Sequence, residues 1–235
     1  MPVYKIAGLN VEYEPRYDLL RNRSQKYICN EEADFRIGVS DTMMENQIEY
    51  YKNIMEGAGL EYLYVGTAFN LKLLEYNGMF LHSSTVVVDG KAYSFSAPCG
   101  TGKSTHTSLW LKLFGEKAFI INDDKAAFRK IEDRYYVFGT PFSGKHDINV
   151  NTSADLAGIC FVEQSEYNSI ERINPDSALT LLVSQTVRPS NPERMILLCD
   201  FLDQLIQNVP IYKLKCNMDI EAAELSYKTM SQSLL

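Results

Sequence analysis

The sequence lacks long apolar runs, basic runs and any regular cysteine spacing. No stretch of 18 apolar residues occurs in the 235-residue chain, so we expect no membrane partner. The five cysteines include no CxxC pair, which argues against a disulfide framework or a zinc site. The net charge is −7 and no basic run offsets it, which argues against a nucleic-acid partner. Residues 1–13 lack the charged-then-apolar order of a signal peptide. Because the cysteines are scattered and odd in number, we expect a protein of the reducing cytoplasm.

The order of predicted strands and helices divides the chain into two parts. Residues 1–78 contain short strand-like segments followed by helical ones, which predicts a small N-terminal α+β extension. Residues 79–235 alternate strands and helices without a linker, which predicts one α/β domain. The oligomeric state stays open at this level.

A glycine-rich loop at residues 97–105 carries the clearest chemical signal. It matches the phosphate-binding P-loop pattern, except that Ala97 stands where the first glycine is expected. Backbone N–H groups around Gly100 and Gly102 can cradle phosphate oxygens. Lys103 would add positive charge beside the β- and γ-phosphates, and the Ser104 hydroxyl can join a Mg²⁺ shell. The predicted nucleotide contacts are Pro98, Cys99, Gly100, Thr101, Gly102, Lys103, Ser104 and Thr105.

The alternative for this loop is an accidental Gly-Lys-Ser at the start of a helix. With average residue usage, such a match arises by chance in roughly 2% of chains of this length. A β-rich segment precedes the loop and an amphipathic helix is predicted after it, as a P-loop requires. We therefore expect the loop to bind the phosphates of a nucleotide.

An aspartate pair follows the loop at the distance typical of a P-loop protein. Asp123 and Asp124 come directly after residues 118–122, which we predict as a short buried strand. P-loop proteins place a Mg²⁺-binding acid at such a position. One aspartate would bind the metal together with Ser104, and the other would take a proton from an acceptor hydroxyl. Which does which stays open, and a solvated turn is the alternative for the pair.

The register of a predicted hairpin places a histidine near the loop. Asp89-Gly90 is the two-residue signal for a tight hairpin. Counting outward from this turn, Thr85 faces Ser94 and His82 faces Ala97. His82 is therefore a candidate catalytic residue at the mouth of the loop. The alternative is a hydrogen-bonded histidine at the end of a strand.

These segments together resemble a known family. Leu81-His82, the loop and Asn122-Asp123-Asp124 resemble the HPr kinase/phosphorylase catalytic domain. From about residue 80 to 165 the chain is more similar to smaller HPr-kinase-related proteins, which share their core fold with phosphoenolpyruvate carboxykinase. The resemblance implies a mixed-sheet P-loop domain of this type. It also implies a kinase that uses ATP or GTP and Mg²⁺, with Asp123, Asp124 and His82 at its catalytic centre.

The chain departs from the true HPr kinases in two segments. It lacks their long glycine- and arginine-containing signature after the aspartates, and their C-terminal HPr-docking helix is not recognisable. We therefore expect an acceptor hydroxyl on a small molecule or a peptide. In the polar loop at residues 139–149, Ser143, Lys145 and His146 are candidates to hold such an acceptor. A carboxykinase-like small-molecule enzyme and a nucleotide-gated binding module remain alternatives.

The P-loop assignment predicts that nucleotide affinity depends on Lys103. We expect Lys103→Ala to weaken ATP or GTP binding at least tenfold, about 1.4 kcal/mol, because the variant loses the charge beside the phosphates. Calorimetric titration measures this change, with Lys112→Ala, further along the same predicted helix, as the control. Equal affinity of Lys103→Ala and the wild type would contradict the assignment.

Overall fold

The computed structural model describes residues 1–38, 40–51 and 53–232, with no side chain described for Asp41 or Met43. The last three residues of the predicted C-terminal unit, 233–235, therefore lie outside the described residues. The chain has a mixed α/β structure with two sheets. None of the helices in the described ranges is both long and apolar enough to cross a bilayer.

The elements follow one another in this order. The strands are β1 (Val3–Ile6), β2 (Leu9–Glu12), β3 (Ile28–Cys29), β4 (Phe35–Arg36), β5 (Gly78–Val88), β6 (Lys91–Ser96), β7 (Ala118–Ile131), β8 (Arg134–Phe138), β9 (Ser153–Gln164), β10 (Ser169–Arg172) and β11 (Ile211–Cys216). The α-helices are α1 (Asp18–Ser24), α2 (Asp41–Tyr51), α3 (Gly57–Leu73), α4 (Lys103–Phe114), α5 (Pro175–Ser184), α6 (Pro192–Asn208) and α7 (Ile220–Gln232).

The first sheet is small and N-terminal. Its strand order is β3-β1-β2-β4, and β1 and β2 form an antiparallel hairpin. Helix α3 contributes Val65 and Phe69 to the hydrophobic core of this part. The same core also takes in Phe80, Ala127 and Phe142 from later in the chain. The division of the chain at residue 78 therefore stays a prediction.

The second sheet is mixed, as expected. Its order is β10-β11-β9-β6-β5-β7-β8, and β8 also pairs with the start of β9. Strand β9 runs parallel to β6 and to β11, and the other neighbours are antiparallel. This arrangement puts β5 between β6, which leads into the glycine-rich loop, and β7, which carries the aspartates.

The hairpin and the helix after the loop match the sequence predictions. Thr85 pairs with Ser94, and the last pair before the loop is Ser83 with Ser96. Helix α4 begins at Lys103, and its fully buried Trp110 packs on rings of the sheet beneath it. The loop at residues 97–102 therefore joins a central strand to a well-packed helix.

The strand that carries the aspartates differs from the prediction. The local sequence predicts that this strand ends at residue 122, but β7 continues through the aspartate pair as one long strand. The backbone is irregular there, because Asp124 has φ +108, a left-handed conformation that a non-glycine residue adopts at a cost of about 1–3 kcal/mol. Asn122 stabilises the irregularity, since its Oδ1 accepts the Lys125 N–H at 3.0 Å and its amide donates to the Thr140 carbonyl at 3.0 Å. One local and one longer-range hydrogen bond thus hold the strand together where the local sequence indicates a turn.

The backbone at Gly139 lies close to the carbonyl groups of two other segments, so we expect a side chain there to lower the stability of the fold. A Cβ at this position would lie 1.9 Å from the Val150 carbonyl oxygen and 2.8 Å from that of Ile121. We expect Gly139→Ala to lower the free energy of unfolding by about 2 kcal/mol or more, as overpacking does. Urea denaturation measures the change. Gly38→Ala is the control, because a Cβ there would meet no atom within 4 Å. Equal effects of the two substitutions would contradict the expectation.

Candidate functional site

Strand β5 brings the glycine-rich loop and the aspartates to the same level of the sheet. Ser83 pairs with Ser96 on one side and with Asp124 on the other, and Ser84 pairs with Asp123. Strands β6 and β7 flank β5, so they are two strand spacings apart. Each spacing is about 4.8 Å. The loop that follows β6 can therefore reach the carboxylates of β7.

A cavity of about 320 Å³ lies between the loop and the aspartates. It is lined by His82, Cys99, Gly100, Gly102, Lys103, Ser104, Thr105, Asp123, Asp124, Gly144, Lys145 and His146. The lining includes all three predicted catalytic residues and most predicted nucleotide contacts. Pro98, Thr101 and Ser143 are not among these lining residues.

The glycines of the loop have the backbone conformations that a phosphate cradle uses. Gly100 has φ +80 and Gly102 has φ +110, values that side chains rarely allow. Gly102 directly precedes α4, whose first N–H groups have no partner within the helix. The positive end of the helix dipole thus borders the cavity, which favours an anion there.

Lys103 is held inside the loop. Its side chain is buried, and its ammonium donates to the carbonyls of Ala97 at 2.7 Å and Pro98 at 3.2 Å. Burial lowers the pKa of Lys103, while the charges of Asp124 and Asp123 act in the opposite direction. Pro98, predicted as a nucleotide contact, thus supplies a carbonyl that positions this lysine.

Ser104 and Asp123 form the direct connection between the two halves of the site. The Ser104 hydroxyl donates to the carboxylate of Asp123, with distances of 2.9 and 3.1 Å to its two oxygens. A hydroxyl and a carboxylate are the oxygen ligands that Mg²⁺ prefers, usually together with waters and substrate phosphates. Across the described ranges, no group of three or more His, Cys, Asp or Glu is arranged to hold a metal. A Mg²⁺ ion held by Ser104 and Asp123 would need waters or phosphate oxygens to complete its shell.

Asp124 is held by two cationic or hydrogen-bonding partners. His82 Nε2 lies 3.3 Å from its Oδ1, and the Lys125 ammonium contacts its Oδ2. Burial alone would raise the pKa of Asp124, but the contacts with His82 and Lys125 outweigh it and hold the pKa at about 2. The carboxylate is therefore ionised at neutral pH.

Gln185 contacts both the backbone and the ring of His82. Its backbone carbonyl accepts the His82 N–H at 2.9 Å, and its Oε1 lies 3.0 Å from His82 Nδ1. The two ring nitrogens of His82 thus lie beside different side chains, Nδ1 beside Gln185 and Nε2 beside Asp124.

Sequence reasoning missed Gln185 and Lys125. Lys125 directly follows the aspartate pair, so an adjacent cation was a signal that could have been used. Gln185 lies 103 residues from His82, just after α5, and nothing in its local sequence indicates a role.

A second and larger cavity, of about 620 Å³, adjoins the loop. It is lined by Gly100, Thr101, Gly102, Thr105, His106, Leu109, Val162, Gln164, Ser165, Glu166, Cys216, Asn217 and Met218. Burial lowers the pKa of His106 to about 4, so this ring is neutral at pH 7. Gly100, Gly102 and Thr105 line both cavities, so the two cavities lie on either side of the same loop.

The depressed pKa of Asp124 predicts a pH-dependent contribution to stability. Because its pKa falls from 3.8 to about 2 on folding, its contribution is fully present above pH 3.8 and is lost as the pH falls through 2. We expect the stability difference between the wild type and Asp124→Asn to be largest near pH 5 and to shrink toward pH 2.5. Urea denaturation at several pH values measures it. A difference that stays constant over this range would contradict the contacts described for Asp124.

Comparison with known proteins finds similarity among solved structures. No known protein family matches the chain, and no curated protein does. Among solved structures, it is similar to the Hpr(Ser) kinase/phosphatase from Coxiella burnetii, with 12% sequence identity and a TM-score of 0.39. The match covers 66% of this chain and 93% of that one. Because this TM-score is low, we draw no conclusion about fold type or function from it.

Proposed function

We propose that this protein is a Mg²⁺-dependent kinase that transfers the terminal phosphoryl group of ATP or GTP to a hydroxyl on a small molecule or peptide. The hydrogen bond between Ser104 and Asp123 is the observation that carries the proposal. It joins a P-loop sequence to an aspartate pair at one cavity, which is the combination that phosphoryl transfer needs. The P-loop domain type implied by the sequence resemblance is part of the same proposal.

The two cavities suit the two halves of a nucleotide. In the proposal, the phosphates lie in the smaller cavity, beside Gly100, Gly102 and Lys103. The base and ribose lie in the larger one, where Leu109 and Met218 supply the apolar surface common in ligand pockets. The shared glycines would then lie beneath the junction between sugar and phosphates.

The two aspartates receive different tasks in this proposal. Ser104 and Asp123 hold the metal, which when bound neutralises charge on the phosphates. Asp124 is less suited to the metal, because both of its oxygens already contact His82 or Lys125. We assign it to the proton of the acceptor hydroxyl.

The transfer step balances with Asp124 as the proton acceptor. The acceptor oxygen forms a bond to the γ-phosphorus as the bond from that phosphorus to the β–γ bridging oxygen breaks. The hydroxyl proton moves to Asp124, and ADP or GDP leaves. A carboxylate with a pKa of about 2 is a weak base, but the loose transition state of phosphoryl transfer requires little deprotonation before the phosphorus–oxygen bond breaks. Positioning and charge neutralisation would therefore supply most of the rate.

The part of the cavity lined by the loop at residues 139–149 favours an acceptor with a negative group. Lys145 and His146 line the cavity together with Asp124. Ser143, the third candidate in this loop, is buried and hydrogen-bonded to Asp147 and Asn149. We therefore propose that it stabilises the loop and does not contact the acceptor. HPr is not the acceptor in this proposal, because the segments that HPr kinases use for it are missing from the sequence.

A labelling experiment tests the kinase proposal. The protein is incubated with labelled ATP or GTP, Mg²⁺, free serine, short serine peptides with and without acidic residues, and HPr. We expect Asp123→Asn and Asp124→Asn each to reduce acceptor labelling about 10²-fold or more. Asp123→Asn should also weaken Mg²⁺-dependent nucleotide binding, whereas Asp124→Asn should not.

Asp133→Asn, in the exposed turn between β7 and β8, is the matched control and should keep full activity. Near-normal turnover in both active-site variants would contradict the kinase proposal. Nucleotide binding without any labelled acceptor would favour the nucleotide-gated module instead. Labelling of HPr alone would contradict the proposed acceptor class.

A further inference from the structure

The loop at residues 139–149 is anchored by residues from the N-terminal part of the chain. The Gly144 N–H donates to the Tyr62 hydroxyl oxygen at 3.1 Å. At the other end, Tyr27 donates its hydroxyl to Asn149 Oδ1 at 2.6 Å, and the Lys26 ammonium donates to the Asn149 carbonyl at 2.9 Å. Lys145 and His146, which line the cavity, lie between these two anchor points.

The first anchor point is in direct contact with Asp124. Gly144 has φ +69, and a Cβ there would lie 2.7 Å from the Asp124 Cβ. Only glycine allows this approach in this conformation. The position of the Gly144 backbone therefore limits where the Asp124 side chain can lie.

Tyr62 also lies beside the cation that holds Asp124. The Lys125 ammonium is 5.9 Å from the centre of the Tyr62 ring, and the Arg23 guanidinium is 4.8 Å from it. The Tyr62 side chain is buried and packs against the Phe142 ring at 5.7 Å. Tyr62 thus accepts a hydrogen bond from the loop backbone, packs against Phe142 of the loop and lies beside Lys125.

Helix α3 is held close to the loop by a second glycine. A Cβ on Gly66 would lie 2.9 Å from Cδ1 of Phe142. Gly66 lies one helical turn after Tyr62, so both residues are on the face of α3 toward the loop. The backbone of α3 therefore approaches Phe142 directly, which leaves little room for Tyr62 to move.

We propose that Tyr62 is a positioning residue of the site, which holds Gly144 against Asp124 and thereby presents Lys145 and His146 to the acceptor. This inference rests on the proposed kinase function. It assigns a task to the N-terminal part of the chain, which would complete the acceptor side of the cavity while the later part binds the nucleotide.

Tyr62→Phe tests the inference, since it removes the hydroxyl and keeps the ring. We expect amide hydrogen exchange at Gly144 to become about fivefold faster, as loss of one hydrogen bond predicts. Acceptor turnover should fall about tenfold, while the affinity for a non-hydrolysable ATP or GTP analogue stays within twofold of the wild type.

Tyr64→Phe is the matched control, because it lies on the same helix but lines a different surface groove with Tyr51 and Leu60. It should change neither exchange nor turnover. Unchanged exchange at Gly144 in Tyr62→Phe would overturn the inference, and so would faster exchange with unchanged turnover. Equal losses in both variants, or a matching loss of nucleotide affinity, would indicate general destabilisation and overturn it as well.

The exchange measurement separates this inference from the proposed function. It needs neither nucleotide nor acceptor. If the wild type labels no acceptor, the kinase proposal fails, yet faster exchange at Gly144 would still support the contact between Tyr62 and the loop. If the wild type is active and Tyr62→Phe behaves like it, the positioning inference alone fails.

Discussion

The pairing of β5 with strands on both of its edges is the constraint on which the candidate site depends. Strand β5 fixes where the glycine-rich loop begins by pairing with Ser96, and it fixes the position of the aspartates along the sheet by pairing with Asp123 and Asp124. A slip of one residue in the β5–β7 register would exchange the faces of the two carboxylates. A buried hydrogen bond of 2.8 Å between the hydroxyls of Ser84 and Thr107 also connects β5 to α4. Strand register, rather than loop chemistry alone, therefore decides which carboxylate meets Ser104.

In the proposed function, an acidic chain must bind a polyphosphate, and the charges of the site indicate how it would do so. The net charge of −7 provides no general attraction for anions. Attraction must come from the buried Lys103 and the N-terminus of α4, both at one side of the cavity. Asp123 and Asp124 face them, and two carboxylates beside phosphates would repel without a divalent cation. In the proposed function, Mg²⁺ would neutralise charge on the phosphates and Asp123, and Lys125 offsets the charge of Asp124.

The sequence predicted those parts of the site that depend on local pattern. The hairpin register and the start of α4 follow from turn and helix signals within a few residues, and both were confirmed. The continuation of β7 through Asp124 could not be predicted, because it depends on hydrogen bonds from Asn122 to Thr140 across the fold. The contacts of Gln185 and Tyr62 span 103 and 82 residues and leave no local pattern. The roles given to the predicted site residues stay predictions.

A crystal structure with a non-hydrolysable ATP or GTP analogue and Mg²⁺ tests the central claim most directly. The account predicts the β- and γ-phosphates beside the amides of residues 100–103. It also predicts the metal in contact with Ser104 and Asp123, and Asp124 still bonded to His82. A nucleotide bound at another surface would contradict the account. So would phosphates in the loop with a metal that does not contact Asp123, since the connection between loop and aspartate would then have no part in binding.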